Sequence, residues 1–184
     1  MSAPTPATAS QTAGPYWHLI DFPAWADLLR ADGPNAGCAQ AGERIQLTGR
    51  ITDGDGAPCP DAMVELWQAD PEGSYEGAFH GFGRAATDRD GAFRFTTLKP
   101  GPVRGLGNAT QAPHATLSIF ARGLLKPLVT RLYFAGEALN ATDPVLSAVP
   151  EARRRTLVAE QAAPGTWRLD IRLQGEGETV FLEI

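Results

Sequence analysis

A chain of 184 residues with 43% hydrophobic and 20% charged side chains suits one domain with its own core. Its net charge of −5 argues against a nucleic-acid or anionic-membrane surface, and its two cysteines, Cys38 and Cys59, lack the spacing of a zinc site or a disulfide framework. No window approaches the roughly 18 apolar residues that span a bilayer, and the first residues lack the basic start and apolar core of a secretory signal, so a soluble, cytoplasmic protein is expected.

Residues 1–15 are rich in Ala, Pro, Ser and Thr without periodicity and read as an arm. The arm ends in SQTAGPYW, where Tyr16 and Trp17 give it something to dock with. FPAWADLLR (22–30) is compatible with a short helix from Pro23, and residues 31–43 form a Gly/Asn/Ala-rich loop. From Arg44 the pattern has period two. Ile45, Leu47 and Ile51 share a face of RIQLTGRIT, and the turn DGDG follows. Val64 and Leu66 oppose Glu65 and Trp67 in AMVELWQA, and Phe93 and Phe95 repeat the device after DRDG. ATLSIFA, TRLYF (130–134), WRLDIRL and TVFLEI complete at least seven expected strands. One helix is expected over 150–160, opening on Pro150 and Glu151, with Arg153, Arg154 and Arg155 on a solvated face between Glu151 and Glu160. Many short strands divided by Gly/Pro/Asp turns predict a mainly β domain, a sandwich or barrel with few short helices.

Chemistry has few places to reside. No phosphate-cradling glycine motif is present, and the acidic turn at 53–56 lacks a calcium loop around it. His18 lies in the arm, His80 in a Gly-rich loop and His114 at the mouth of an alternating strand. Turn residues throw Tyr75 out at the end of a strand, whereas Tyr133 inside TRLYF reads as a core aromatic. None of these residues implies a metal by itself.

The blocks VELWQADPEGSY, GRAATDRDGAFRFTTLKPGP and PHATLSIFARG, in that order, resemble the intradiol ring-cleaving dioxygenases. The likeness runs from SQTAGPY to RLDIRLQGEGETVFLEI and covers nearly all of residues 10–184. It implies a single-domain β-sandwich over 44–184, with residues 1–43 as an arm and short helix packing on the core or on a partner. In the iron-bearing members, two tyrosines and two histidines hold ferric iron. The hard tyrosinate donors suit Fe(III), and the histidines share a face because strands have period two. Those positions fall here on Tyr75, Val103, His114 and Thr116, and an arginine three residues before the first histidine becomes Gln111. Two of the four donors are therefore absent.

Members built from two homologous chains keep iron in one of them, and the vacancy is the pattern of the other. The resemblance thus implies Fe(III) bound by a homologous iron-bearing partner and not by this chain. Thr12, Gly14, Pro15 and Tyr16 of the arm would wall the partner's substrate pocket, and Arg131 would attract a carboxylate on a catechol substrate cleaved with O2. Trp17, Phe22 and Trp25 are candidate interface anchors. The alternative reading is a stand-alone β-sandwich carrier or binding module that has lost the iron site.

Overall fold

The computed structural model describes residues 23–38 and 41–183. The expectations for Thr12, Gly14, Pro15, Tyr16, Trp17, His18 and Phe22 therefore lie outside the described residues. Eleven strands occur among the described residues: β1 (Arg44–Thr52), β2 (Met63–Gln68), β3 (Phe82–Ala86), β4 (Ala92–Leu98), β5 (Val103–Arg104), β6 (Thr110–Gln111), β7 (His114–Phe120), β8 (Leu128–Phe134), β9 (Val158–Ala163), β10 (Thr166–Arg168) and β11 (Ile171–Arg172).

Alternation of side chains builds the two layers. In one, β3-β2-β7-β8 are consecutive antiparallel neighbours. In the other, β4 pairs antiparallel with β1, and β1 pairs in parallel with both β10 and β11. Strand β9 joins them: Val158 and Ala159 run parallel to Tyr133 and Phe134 of β8, while Glu160, Gln161 and Ala163 pair with β10. Between the layers lie Ile45, Leu47 and Ile51 of β1, Phe93 and Phe95 of β4, Val64 and Leu66 of β2, Leu117 and Ile119 of β7, and Leu132 and Phe134 of β8. Residues from Pro23 onward pack on this sandwich. A short 3-10 helix spans Pro23–Ala26, Leu28 is buried, and the Leu28 N–H donates to the Thr96 carbonyl at 2.9 Å.

Three expected elements differ. The helix from Pro150 stops early: α2 covers Glu151–Arg154, a 3-10 turn covers Arg155–Leu157, and 158–163 is β9. Leu157, Val158 and Ala159 suit either period, and pairing with β8 decides for strand. Glu160 consequently belongs to a strand. Arg153 reaches Glu178 at 3.5 Å, and the Arg154 guanidinium donates to the carbonyls of Val149 and Ser147. WRLDIRL is two strands, because the Asp170 carboxylate takes the Arg50 N–H at 3.0 Å and interrupts the ladder. Residues 179–183 form no strand. They run beside β8 through isolated bonds, Leu182 N–H to the Val129 carbonyl at 2.7 Å and Thr130 Oγ1 to the Val180 carbonyl at 2.8 Å.

The outer face of the β2-β7-β8 layer is half covered. A helix missed in the sequence, α1 (Pro144–Ala148), and the turns around it place Leu146, Val149 and Leu157 over Tyr133 and Ala112 as a second small core. Among the described residues no helix covers the other half of this face, where Trp67 and Tyr75 are partly exposed, and Tyr75, Val103, His114 and Thr116 lie near the boundary.

Candidate functional site

Period two sets the row. His114 and Thr116 alternate with the core residues Ala115 and Leu117, so both point to the outer face of β7. The register sets Trp67 of β2 opposite Thr116 on one side and Arg131 of β8 opposite it on the other, with Tyr133 opposite His114. Four chemistry-bearing side chains from β7 and β8 thus share one patch of sheet.

Two loops bring the remaining positions to it. Asp70, buried after β2, accepts the backbone N–H groups of Glu72 (3.0 Å) and Ser74 (2.8 Å), which closes a tight turn ahead of Tyr75. The Asp70 carbonyl accepts the Gly101 N–H at 2.9 Å, tying that turn to the loop that carries Val103. Gly73 has φ +82° and lies so close to the Pro102 carbonyl oxygen that a Cβ would stand 1.9 Å from it. Tyr75 emerges 38% exposed and stacks on Trp67, which is 43% exposed, with ring centroids 5.7 Å apart and planes 14° apart. Val103 is buried at the start of β5, opposite Gln111 of β6.

His114 is 1% exposed, and its Nδ1 lies 2.7 Å from the Ala112 carbonyl oxygen. A carbonyl only accepts, so Nδ1 carries the proton. Burial and the nearby Arg131 lower its pKa, against smaller opposing effects of the Ala112 hydrogen bond and Asp143, and the ring is neutral. Burial raises the Tyr75 phenol pKa, with Arg131 pulling the other way, and burial pushes Tyr133 well above the usual tyrosine range.

Arg131 is the charge at the centre of this group. Its Nη1 donates to Gln111 Oε1 at 2.7 Å and to the Tyr133 hydroxyl at 3.3 Å. Tyr133 in turn donates to Asp143 Oδ1 at 3.0 Å. Asp143 is fully buried. It caps α1 through the N–H groups of Val145 and Leu146 and accepts the Ala112 N–H on its other oxygen. Among the described residues no carboxylate lies within 4 Å of Arg131, and its Nε and Nη2 have no hydrogen-bond partner.

Tyr75, Val103, His114, Thr116 and Arg131 are therefore neighbours in space, drawn from two loops and two strands. His80 stands aside, with its backbone N–H on Asn35 Oδ1 and its ring edge-on to Trp67. Trp25 packs within its own chain, edge-on to Phe82 at 6.1 Å and under the Arg84 guanidinium. Asp143 is the site residue that sequence reading missed. Its signal was present, a carboxylate directly before a proline, which is a helix cap followed by a first-turn proline.

A metal does not fit this set. The Val103 side chain offers no donor atom, Thr116 offers a neutral hydroxyl, and the Arg131 guanidinium, on the residue across the ladder from Thr116, adds a positive charge beside the Tyr133 hydroxyl. No group of three or more His, Cys, Asp or Glu able to hold a metal occurs among the described residues.

A β-sandwich of this kind is the fold of the intradiol ring-cleaving dioxygenases. The family model described as Dioxygenase matches residues 14–175, and the chain belongs to that family. It is 42% identical to the protocatechuate 3,4-dioxygenase alpha chain of Pseudomonas putida, covering 97% of this chain and 96% of that one. It is 36% identical to the corresponding beta chain of Burkholderia cepacia, covering 75% of this chain and 67% of that one. The fold matches the dioxygenase domain of a dioxygenase carbohydrate-binding protein fusion from Streptomyces sp. SirexAA-E with a TM-score of 0.63 at 28% identity, covering 91% and 98% of the two chains. Intradiol dioxygenases are in general iron-dependent. No helix among the described residues is long and apolar enough to cross a membrane.

Proposed function

We propose that this chain is the alpha-type, non-iron subunit of a protocatechuate 3,4-dioxygenase, active only in complex with a homologous beta chain that binds Fe(III). The complex cleaves protocatechuate with O2 between its two hydroxylated carbons. Both oxygen atoms enter the product, 3-carboxy-cis,cis-muconate, a step of aromatic catabolism in the beta-ketoadipate pathway. The observation that carries this reading is the loss of donors at Val103 and Thr116 in a chain that matches an alpha chain over nearly its whole length. Likeness to a beta chain as well supports pairing of homologous subunits.

In this reading the chain supplies shape and charge to a pocket whose metal belongs to its partner. Thr12, Gly14, Pro15 and Tyr16 form one wall, where a Gly-Pro turn permits close backbone approach and an aromatic covers a flat ring. Arg131, with Nε and Nη2 free of protein partners among the described residues, attracts the substrate carboxylate. Residues 1–43 act as the arm and 44–184 as the sandwich.

The test is to produce the chain alone and together with a candidate beta chain, then assay iron and protocatechuate oxidation. The lone chain should be colourless and inactive, and the pair coloured and active. Stoichiometric iron in the lone chain would overturn the reading. A pair no more active than the beta chain alone would favour the stand-alone binding module.

A further inference from the structure

The donor face has lost two ligands, yet it has not become apolar or neutral. A permanent cation stands on it, directly across the β7–β8 ladder from Thr116 and close enough to Tyr75 and His114 to act electrostatically on both. We propose that the Arg131 guanidinium takes the place of the metal's charge and bars multivalent cations from this face. The site is then closed by charge as well as by the missing donors. This inference rests on the reading of the chain as the non-iron subunit and deepens it.

Geometry holds the cation in place from two sides. Gln111, on the short β6 strand paired with Val103 of β5, accepts from Nη1 at 2.7 Å. Tyr133 accepts from the same nitrogen and is itself anchored on buried Asp143, whose oxygens are engaged by three backbone N–H groups besides. The guanidinium cannot swing away without leaving Gln111 and Tyr133 short of a partner. No carboxylate pairs with it directly within 4 Å among the described residues; Asp143, reached only through the Tyr133 hydroxyl, opposes it at His114 less strongly than Arg131 itself acts there. Arginine stays protonated at any working pH, so the barrier does not titrate away.

Repulsion between fixed charges scales with their product and strengthens as water is excluded, so a ferric ion is penalised more than a monovalent one. An ion arriving at Tyr75 and His114 would therefore meet two donors and a competing cation. Restoring the lost donors while Arg131 remains should leave the face a poor metal site.

The experiment uses the full chain, loaded with ferrous iron in air and desalted, with metal analysis and the visible tyrosinate-to-iron charge-transfer band as readouts. V103Y/T116H returns the donors and keeps the cation. V103Y/T116H/R131M keeps the same donors and removes the charge at similar side-chain volume. The triple variant should become coloured and load iron at a free-metal concentration at least ~10-fold lower than the double variant requires. Equal loading and colour in the two would overturn the proposal, because the donors alone would then decide. A second comparison does not depend on a bulky side chain folding at Val103. Cobalt(II) should bind T116H/R131M at least ~10-fold more tightly than T116H, and equal affinities would likewise overturn the proposal. Iron held by the unaltered chain would instead overturn the non-iron reading beneath it.

Discussion

In the proposed function Arg131 would contribute one charge to two relationships, one within the chain and one toward a substrate. The first uses Nη1, on Gln111 and Tyr133; the second would use Nε and Nη2. A charge-assisted bond to a carboxylate is worth about 1.5–3 kcal/mol, about 10- to 160-fold in affinity. In the αβ complex Arg131→Ala should therefore raise KM for protocatechuate by about that factor while changing KM for plain catechol much less. Steady-state kinetics with both substrates checks this, and equal changes would leave the residue a structural role only. The positions Tyr75, Val103, His114 and Thr116 could be singled out in the sequence only through the family resemblance, which implies them as donor positions; their own spacing does not mark a metal site. The partners of Arg131 could not be singled out. Gln111 lies 20 positions away, and Tyr133 read as a plain core aromatic. Its ring is indeed buried, but its hydroxyl links Arg131 to Asp143.

At the scale of elements, the strands with clean alternation were read correctly, and those that depend on a distant neighbour were not. β1, β2, β4, β7 and β8 each bury their apolar alternates against a core, so their own pattern identifies them. Strand β9 is an apolar pair, Val158 and Ala159, captured by β8 where a helix was expected. The loop pair carrying Tyr75 and Val103 makes the strongest demand on a single residue. Gly73 combines a φ of +82° with an approach to the Pro102 carbonyl that leaves no room for a Cβ. Gly73→Ala should destabilise the chain by about 2–3 kcal/mol, from left-handed backbone strain plus displacement of the 100–103 loop. Denaturant unfolding measures it, and a change under ~0.5 kcal/mol would show that the two loops are not tightly joined.

At the scale of the whole molecule, β9 holds the architecture together by serving both layers, starting beside β8 and ending beside β10. Among the described residues the outer face of the β2-β7-β8 layer is thereby divided between a small core under α1 and a half bearing partly exposed Trp67, Tyr75 and Arg131. In the proposed assembly the arm reaches across to the partner's pocket. Tyr16→Ala should then lower kcat/KM of the αβ pair by about 5- to 10-fold, the value of one aromatic contact, and leave the unfolding midpoint of the lone chain unchanged. Loss of stability in the lone chain with unaltered pair kinetics would mean that Tyr16 packs on its own sandwich.

The amino-acid sequence by itself determined the mainly β class, the faces of the regular strands and which side chains stand at the positions that the family resemblance implies as donors. These are local properties, because alternation and side-chain chemistry are written residue by residue. Tertiary structure alone decided that β9 is a strand, that WRLDIRL breaks at Asp170, and that Arg131 stands among the remaining donors on Gln111 and Tyr133. Those outcomes depend on which strand lies beside which. Pairing across tens of residues is set by the register of the assembled sheet and leaves little mark in any one segment.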